Sequence, residues 1–322
     1  MEPSNDDVPI RGEVRTKGHR RVAHGLFVEK RDGLSDADEL LRDLRAWLLV
    51  LPPTAVFTHL TAVLLYGWDL PNLPEQLPVW AAVQGDGPRP RRPGLICSRL
   101  KRATEKVVCQ GLPVDRPEEV LLRCARDLGH LDLAIIIESA LRSGDLDRDR
   151  MEALLATRRP GVAALREAYR AATGRPESAG EVVLVKFHEV MDVPVECQVD
   201  CFEDDGTLIG RADLLVVGTR QVHEYDGAGH RDAAQHRKDL RRDRRWASSA
   251  YVRRGYTLDD LLNHAGTVMH ELDRLLGRPH DPERLRRWRR LVSASLYSEE
   301  GRARVMNRWR REMGVVDWAR TA

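Results

Sequence analysis

Gly210-Arg211-Ala212-Asp213-Leu214-Leu215-Val216-Val217, followed by Val222-His223-Glu224-Tyr225-Asp226-Gly227-Ala228-Gly229-His230, is the stretch that decides the reading of this chain. Two apolar runs with strand character each carry an acid. The second run closes in a glycine-flanked turn that holds a histidine. Asp213 and Glu224 stand eleven residues apart, a spacing that suits adjacent strands of a hairpin. Asp213 interrupts an otherwise apolar run, where an unpaired carboxylate is costly to bury. Glu224 and Asp226 alternate with Tyr225, so the pleat of a strand directs both acids to one face.

Carboxylates gathered on neighbouring strands suit a divalent ion at a phosphate, because a hard cation takes oxygen ligands. The expected metal ligands are Asp213, Glu224 and Asp226, with Mg²⁺ as the ion and Mn²⁺ or another divalent metal as its alternative. Glu181 and His230 complete the catalytic candidates. Glu181 stands one helical turn beyond Ser178, on the helix that precedes the strands, and His230 follows a turn that can return an imidazole to the metal. Each has a plainer reading. A lone strand Asp is commonly hydrogen-bonded structure, Glu181 can pair with an arginine, and His230 can be a turn residue. The conjunction of all five, in order, on a helix–strand–strand–turn pattern carries the functional reading.

Working outward, a helix opens at Glu177 or Ser178 and runs to Met191. Strands follow at 195–201, 208–217 and 221–225. A charged helix is expected over 232–247, then a short strand at Tyr251-Val252 and a helix over 259–276. Strands grouped together and flanked by helices argue a mixed α/β layer. Upstream, Ser35 or Asp36 can cap a helix through Leu49, stopped by Pro52-Pro53. A helix is expected over 54–66 and a strand over 77–83. Further helices are expected from Arg116-Pro117 and over 131–142, 147–157 and 162–172. Thr173-Gly174-Arg175-Pro176 reads as the domain boundary. The expected fold class is α/β in an α+β arrangement: a mostly helical N-terminal domain (1–173), a mixed-sheet domain (174–278) and a basic helical C-terminal extension (279–322).

The chain has 322 residues, 42% hydrophobic and 32% charged, and its net charge of +2 conceals an uneven distribution. Residues 231–245 hold seven Arg or Lys against three acids, and residues 278–322 hold twelve Arg against six acids. Such asymmetry suggests a polyanionic partner more than net charge does. Arg211, Arg237, Lys238, Arg241 and Arg242 are the expected nucleic-acid contacts, and Trp288, Trp309 and Trp318 are expected to anchor the C-terminal helices, the alternative being stacking on bases. Five cysteines in a long chain fit a reducing cytoplasm better than a disulfide framework. Cys197 and Cys201 have tolerable zinc spacing, but no second Cys/His pair follows. The acidic N-terminus lacks the pattern of a signal peptide, and no apolar run approaches the ~18 residues of a membrane span.

Residues 174–278 resemble the PD-(D/E)XK superfamily, in the branch that resembles the very-short-patch mismatch-repair endonuclease. The resemblance rests on Glu177-Ser178-Ala179-Gly180-Glu181, Gly210-Arg211-Ala212-Asp213, Glu224 to His230, and Asp239-Leu240-Arg241-Arg242-Asp243. It implies that Asp213 binds metal, that Glu224 and Asp226 occupy the E-x-K segment, and that His230 stands beside the metal. Asp226 takes the place where the superfamily carries lysine; the short-patch branch lacks that lysine too. Phe57 to Gly67 and Gly111-Leu112-Pro113-Val114 more weakly resemble the antitoxin-like region of proteins related to AbiEi, and Gly18 to Val28 resembles the basic hairpin that ends a winged helix there.

The implied activity is a cytoplasmic, Mg²⁺-dependent endonuclease acting on nucleic acid, DNA first, in repair or defence. The rivals are an antitoxin-type regulator that binds DNA without cutting, and a metalloenzyme using the same fold on a small molecule. A homodimer is a further expected assembly, and no membrane partner is.

Overall fold

The computed structural model describes residues 8–14, 17–85, 89–100, 106–227 and 245–313. The chain divides into two compact units. Unit 1 comprises residues 1–68, 73–127 and 303–322, and unit 2 comprises 69–72 and 128–302.

Unit 1 opens with a small antiparallel sheet of β1 (Ile10–Arg11), β2 (His19–Ala23) and β3 (Leu26–Glu29), in the order β1-β3-β2. The basic hairpin expected over 18–28 is therefore present. Arg20 on it is engaged with Glu39 and Asp43 of α1 (Asp36–Leu48), whose N-cap Ser35 accepts from Asp38 N at 3.2 Å. A second, mixed sheet runs β6-β5-β4-β8-β7, built from β4 (Val56–Phe57), β5 (Val79–Gln84), β6 (Leu95–Leu100), β7 (Val107–Cys109) and β8 (Leu112–Val114). Two helices accompany it: α2 (His59–Tyr66) and α3 (Pro117–Cys124).

Among the described residues of unit 1, one of these eight strands, β4, lies where a helix was expected to start. The misreading has a physical source. Runs of two to six apolar residues suit a buried strand and a buried helix equally well. Val56-Phe57 illustrates it: the residues expected to start a helix at 54 instead pair with Ala82 and Ala81, and the helix begins only at His59.

Unit 2 carries α4 (His130–Arg142), α5 (Arg148–Leu155), α6 (Val162–Arg170) and α7 (Ala179–Val190). Its sheet runs β12-β11-β10-β9, from β9 (Val195–Phe202), β10 (Leu208–Val216), β11 (Gln221–Tyr225) and β12 (Val252–Tyr256). The first three strands are antiparallel neighbours, and β12 lies parallel to β11. The helix expected over 259–276 is two, α8 (Leu258–Leu262) and α9 (Ala265–Leu275), separated at Asn263-His264. Then come α10 (Pro282–Ser293) and α11 (Glu299–Met313), of which residues from 303 onward count with unit 1. Among the described residues no helix is long and apolar enough to cross a membrane.

The division falls at 127/128 rather than at 173/174, so α4, α5 and α6 belong with the sheet of unit 2. Thr173-Gly174 has a linker's composition but is fastened down. The Glu138 carboxylate, 1% exposed on α4, accepts from Thr173 N and Gly174 N, and Arg142 donates to Pro176 O. The residues assigned to a C-terminal extension likewise divide, α10 with unit 2 and most of α11 with unit 1.

The core of unit 2 joins Val183, Leu184 and Phe187 of α7 to Leu214 and Val216 of β10 and to Trp288 of α10. Trp288 is 1% exposed, lies edge-on to Phe187 at 5.1 Å and donates Nε1–H to Leu261 O at 2.7 Å. It anchors its helix as expected. At the far end of α10, Leu296 N donates to both Asp132 oxygens, and Asp132 also accepts from Gly129 N. Gly129 has to be glycine, because a Cβ there would stand 2.2 Å from Ala294 O.

Candidate functional site

The site is assembled where the β10–β11 ladder ends. Leu214 pairs with His223 and Leu215 with Val222, so the same register taken one step further sets Asp213 opposite Glu224. At that step a side chain takes a backbone donor: Tyr225 N donates to Asp213 Oδ2 at 3.1 Å. Beyond it β11 stays paired to β12, with Glu224 beside Gly255 and Tyr225 beside Tyr256, and Asp226 N donates to Tyr256 O at 2.9 Å.

The pleat of β11 sorts its side chains. His223 and Tyr225 face α7, where His188 and Gly180 receive them. Glu224 and Asp226 therefore project from the opposite face. Glu224 is only 5% exposed and accepts from Arg253 Nε of β12. Asp226 is exposed, and its carboxylate occupies the space over Gly255, where a Cβ would stand 1.8 Å from Oδ2. Arg253 was not among the residues singled out from sequence. Val252-Arg253-Arg254-Gly255 carries no motif, and only the parallel pairing of β12 with β11 shows that its arginine meets the site.

Glu181 does a different job. With Ser178 it forms the N-terminal cap of α7: Glu181 N donates to Ser178 Oγ, and the Glu181 carboxylate accepts from Glu177 N at 2.8 Å and Ser178 Oγ at 3.0 Å. Half of a capping box is thus present: Ser178 Oγ caps the helix, but Glu181 reaches back to the N–H of Glu177 and the hydroxyl of Ser178 rather than to Ser178 N. The same carboxylate takes a third donor, Gln198 Nε2 at 2.9 Å. In the β9–β10 register, flanked by Val199↔Ala212 and Cys197↔Leu214, Gln198 stands opposite Asp213, and its φ of 56° lies in the left-handed region. A non-glycine residue there costs roughly 1–2 kcal/mol. The irregularity also separates the two cysteines of β9. Cys197 packs with α7 and Leu214, whereas Cys201 packs with Ile209 and Trp246, although four residues of regular strand would put them on one face. All five cysteines are free thiols.

Behind the site lies a buried imidazole pair. His188 Nε2 is 2.8 Å from His223 Nδ1, and His188 Nδ1 is 2.8 Å from Leu184 O. A carbonyl only accepts, so His188 carries its proton on Nδ1 and its Nε2 accepts from His223 Nδ1–H. His223 Nε2 is left without a hydrogen-bond partner. Burial pushes His188 down to about 4, and burial with the neighbouring His188 and Arg254 charges pushes His223 down to about 3.

Among the described residues no group of three or more His, Cys, Asp or Glu side chains is compact enough to hold a metal ion, so Asp213, Glu224 and Asp226 do not by themselves make one. The donor chemistry nonetheless fits Mg²⁺, which is commonly held through one or two carboxylates, with water and substrate phosphate completing its shell. Asp213 and Glu224 are two carboxylates set opposite each other, each holding an internal donor, Tyr225 N and Arg253 Nε. His230, Arg237, Lys238, Arg241, Arg242 and Trp318 lie outside the described residues. Arg211 is exposed, with Glu177 Oε1 3.6 Å away.

The arginines of α10 are largely occupied within the unit. Arg284 and Arg287 reach Asp192 Oδ2 at 3.2 and 2.7 Å, and Arg286 and Arg290 both reach Glu283. No family model, curated protein or solved structure matches the chain.

Proposed function

We propose that residues 177–256 form the core of a divalent-metal-dependent endonuclease that hydrolyses phosphodiester bonds of nucleic acid, DNA in the first instance. The observation that carries this reading is the facing position of Asp213 and Glu224 where the β10–β11 ladder ends, with Asp226 directly after the last residue of β11. The order helix, three antiparallel strands, parallel strand is the framework on which the resemblance expects such a pair. Asp213 and Glu224 would hold the ion, which supplies positive charge at the scissile phosphate. Tyr225 N–H fixes the Asp213 carboxylate, and the Arg253 guanidinium holds that of Glu224 and adds a cation at the carboxylate face. Arg253 thus stands in for the positive charge that the motif lysine brings elsewhere, since Asp226 occupies the lysine position.

The test is cleavage of single-stranded, duplex and mismatched DNA with Mg²⁺ or Mn²⁺, beside Asp213→Asn. Metal-dependent cleavage lost in Asp213→Asn supports the reading. DNA binding without cleavage would favour the non-cutting regulator, a reading for which the internal partners of Asp213 and Glu224 speak. Cleavage at the wild-type rate by Asp213→Asn would place the chemistry elsewhere.

A further inference from the structure

A cavity of about 440 Å³ lies within unit 1, at the N-terminus of α2. It is lined by Arg89, Arg123, Arg126, Arg308 and Arg311 against two acids, Asp127 and Glu312. Those two acids are already committed: Arg308 pairs with Asp127 at 3.0 Å and with Glu312 at 3.1 Å. Arg123 is held by Ser98 Oγ at 2.7 Å and by Asp115 at 3.4 Å, which fixes its guanidinium in the wall. Arg89 and Arg311 are exposed and have no carboxylate partner among the described residues. The cavity therefore keeps an excess of positive charge that the protein itself does not neutralise.

The helix beneath it is left uncapped. Thr58 holds the N-cap position of α2, but its hydroxyl donates to Asp115 Oδ2 at 3.3 Å and does not cap the helix. The first N–H groups of a helix then point outward without acceptors and carry its positive pole. His59, the first residue of α2, has a φ of 52°, a left-handed conformation that turns successive N–H groups into a concave anion seat when a helical residue follows.

An independent observation comes from the His59 side chain, which lines the same cavity and is 3% exposed. Its ring stacks on Trp80 at 4.7 Å and 17°. Nε2 pairs with Asp127 Oδ2 at 3.1 Å, and Nδ1 has no hydrogen-bond partner among the described residues. A buried imidazole nitrogen without a partner is uncommon in a protein interior and calls for an explanation. Residues held in sparsely populated backbone conformations cluster at ligand sites and switch regions.

From the cavity, its surplus arginines, the uncapped helix and the unpartnered Nδ1 of His59, we infer that unit 1 contains a binding site for a phosphate monoester on a ligand of about nucleotide size. Planar guanidinium groups and helix N–H groups match a phosphate dianion, and about 440 Å³ falls within the usual span of small-ligand sites, roughly 300–1,000 Å³. The ligand is a free mononucleotide or the terminal phosphate of a nucleic-acid strand. The inference does not depend on the endonuclease reading, because every residue it uses lies in unit 1.

Calorimetry on the full chain in EDTA tests it, with AMP, a 5′-phosphorylated oligonucleotide and its 5′-hydroxyl counterpart as titrants. Saturable binding of AMP or of the phosphorylated strand is expected, weakened roughly tenfold or more in the Arg89→Gln/Arg311→Gln double variant, since charge-assisted arginine–phosphate contacts are strong. Both side chains are exposed and have no carboxylate partner among the described residues, so this variant should fold. A preference for the phosphorylated over the hydroxyl end identifies the strand end as the source. AMP binding without that preference identifies the free nucleotide. Absence of saturable binding by AMP and by the phosphorylated strand, or equal affinities in wild type and double variant, overturns the inference.

Discussion

Arg253 donates to the Glu224 carboxylate from the neighbouring parallel strand, two residues out of step with it: Arg253 pairs with Val222, and Glu224 with Gly255. Glu224 is 5% exposed, and this contact is one of those that hold its carboxylate. Removing one partner of a largely buried ion pair leaves the other uncompensated, whereas removing both is much milder. Arg253→Gln should destabilise unit 2 by about 1–2 kcal/mol, a value kept low because Arg253 is itself partly exposed. Adding Glu224→Gln should recover most of that loss. Urea denaturation of the two single variants and the double variant checks the coupling, and independent additive effects would contradict it.

Gly255→Ala separates stability from the site. An added methyl displaces the Asp226 carboxylate, the free end of an exposed side chain, and touches no backbone. Thermal stability should hold, or rise by up to about 1 kcal/mol through the stiffer unfolded chain. Metal-dependent cleavage should fall if Asp226 serves the site. An equal loss of both would mean that the strand, not the carboxylate, had moved.

Gly180→Ala should do the reverse. A Cβ there would stand 2.0 Å from the Tyr225 ring, which is packed between α7 and the sheet. The overpacking should cost about 1–3 kcal/mol. Because Tyr225 N holds Asp213, a displaced Tyr225 should also weaken any metal-dependent stabilisation. Denaturation with and without Mg²⁺ reads both effects; wild-type stability would show that α7 and β11 can part freely.

The imidazole pair sets a pH dependence. In the unfolded chain both histidines titrate near 6.5. In the folded chain they do so near 4 and 3. Between those values the unfolded chain binds more protons, so stability rises with pH there. Melting temperature should be flat above about pH 6.5 and fall steadily as pH drops towards 4. His188→Gln with His223→Asn should flatten the acid limb. An unchanged limb would assign acid unfolding to other groups.

Much of unit 2 was readable because its signals were local. Ser178 and Glu181 spell a helix start, and the acids of β10 and β11 interrupt apolar runs of strand length. Other features had no local sign. Val56-Phe57 is a strand only because β5 and β8 flank it. Thr173-Gly174 resembles a linker until Glu138, thirty-five residues earlier, takes its amides. Gln198 gives no hint of a positive φ, yet that conformation sends Cys197 and Cys201 to different clusters. The catalytic expectation for Glu181 came from its position in a motif, and both its oxygens are taken by neighbouring donors.

Unit 1 is completed by the last described helix, since residues from 303 onward belong to it and Trp309, 2% exposed, lies edge-on to Trp80 at 5.0 Å. On the ribosome this inverts the usual order. The unit whose synthesis begins first stays without Trp309 and Arg308 while residues 128–302 are made. At roughly 5–20 residues per second that delay is on the order of ten seconds or more. Throughout it Trp80 and His59 lack their final neighbour, so a nascent chain stalled before residue 303 should present a sticky first unit, and one released beyond it a closed one.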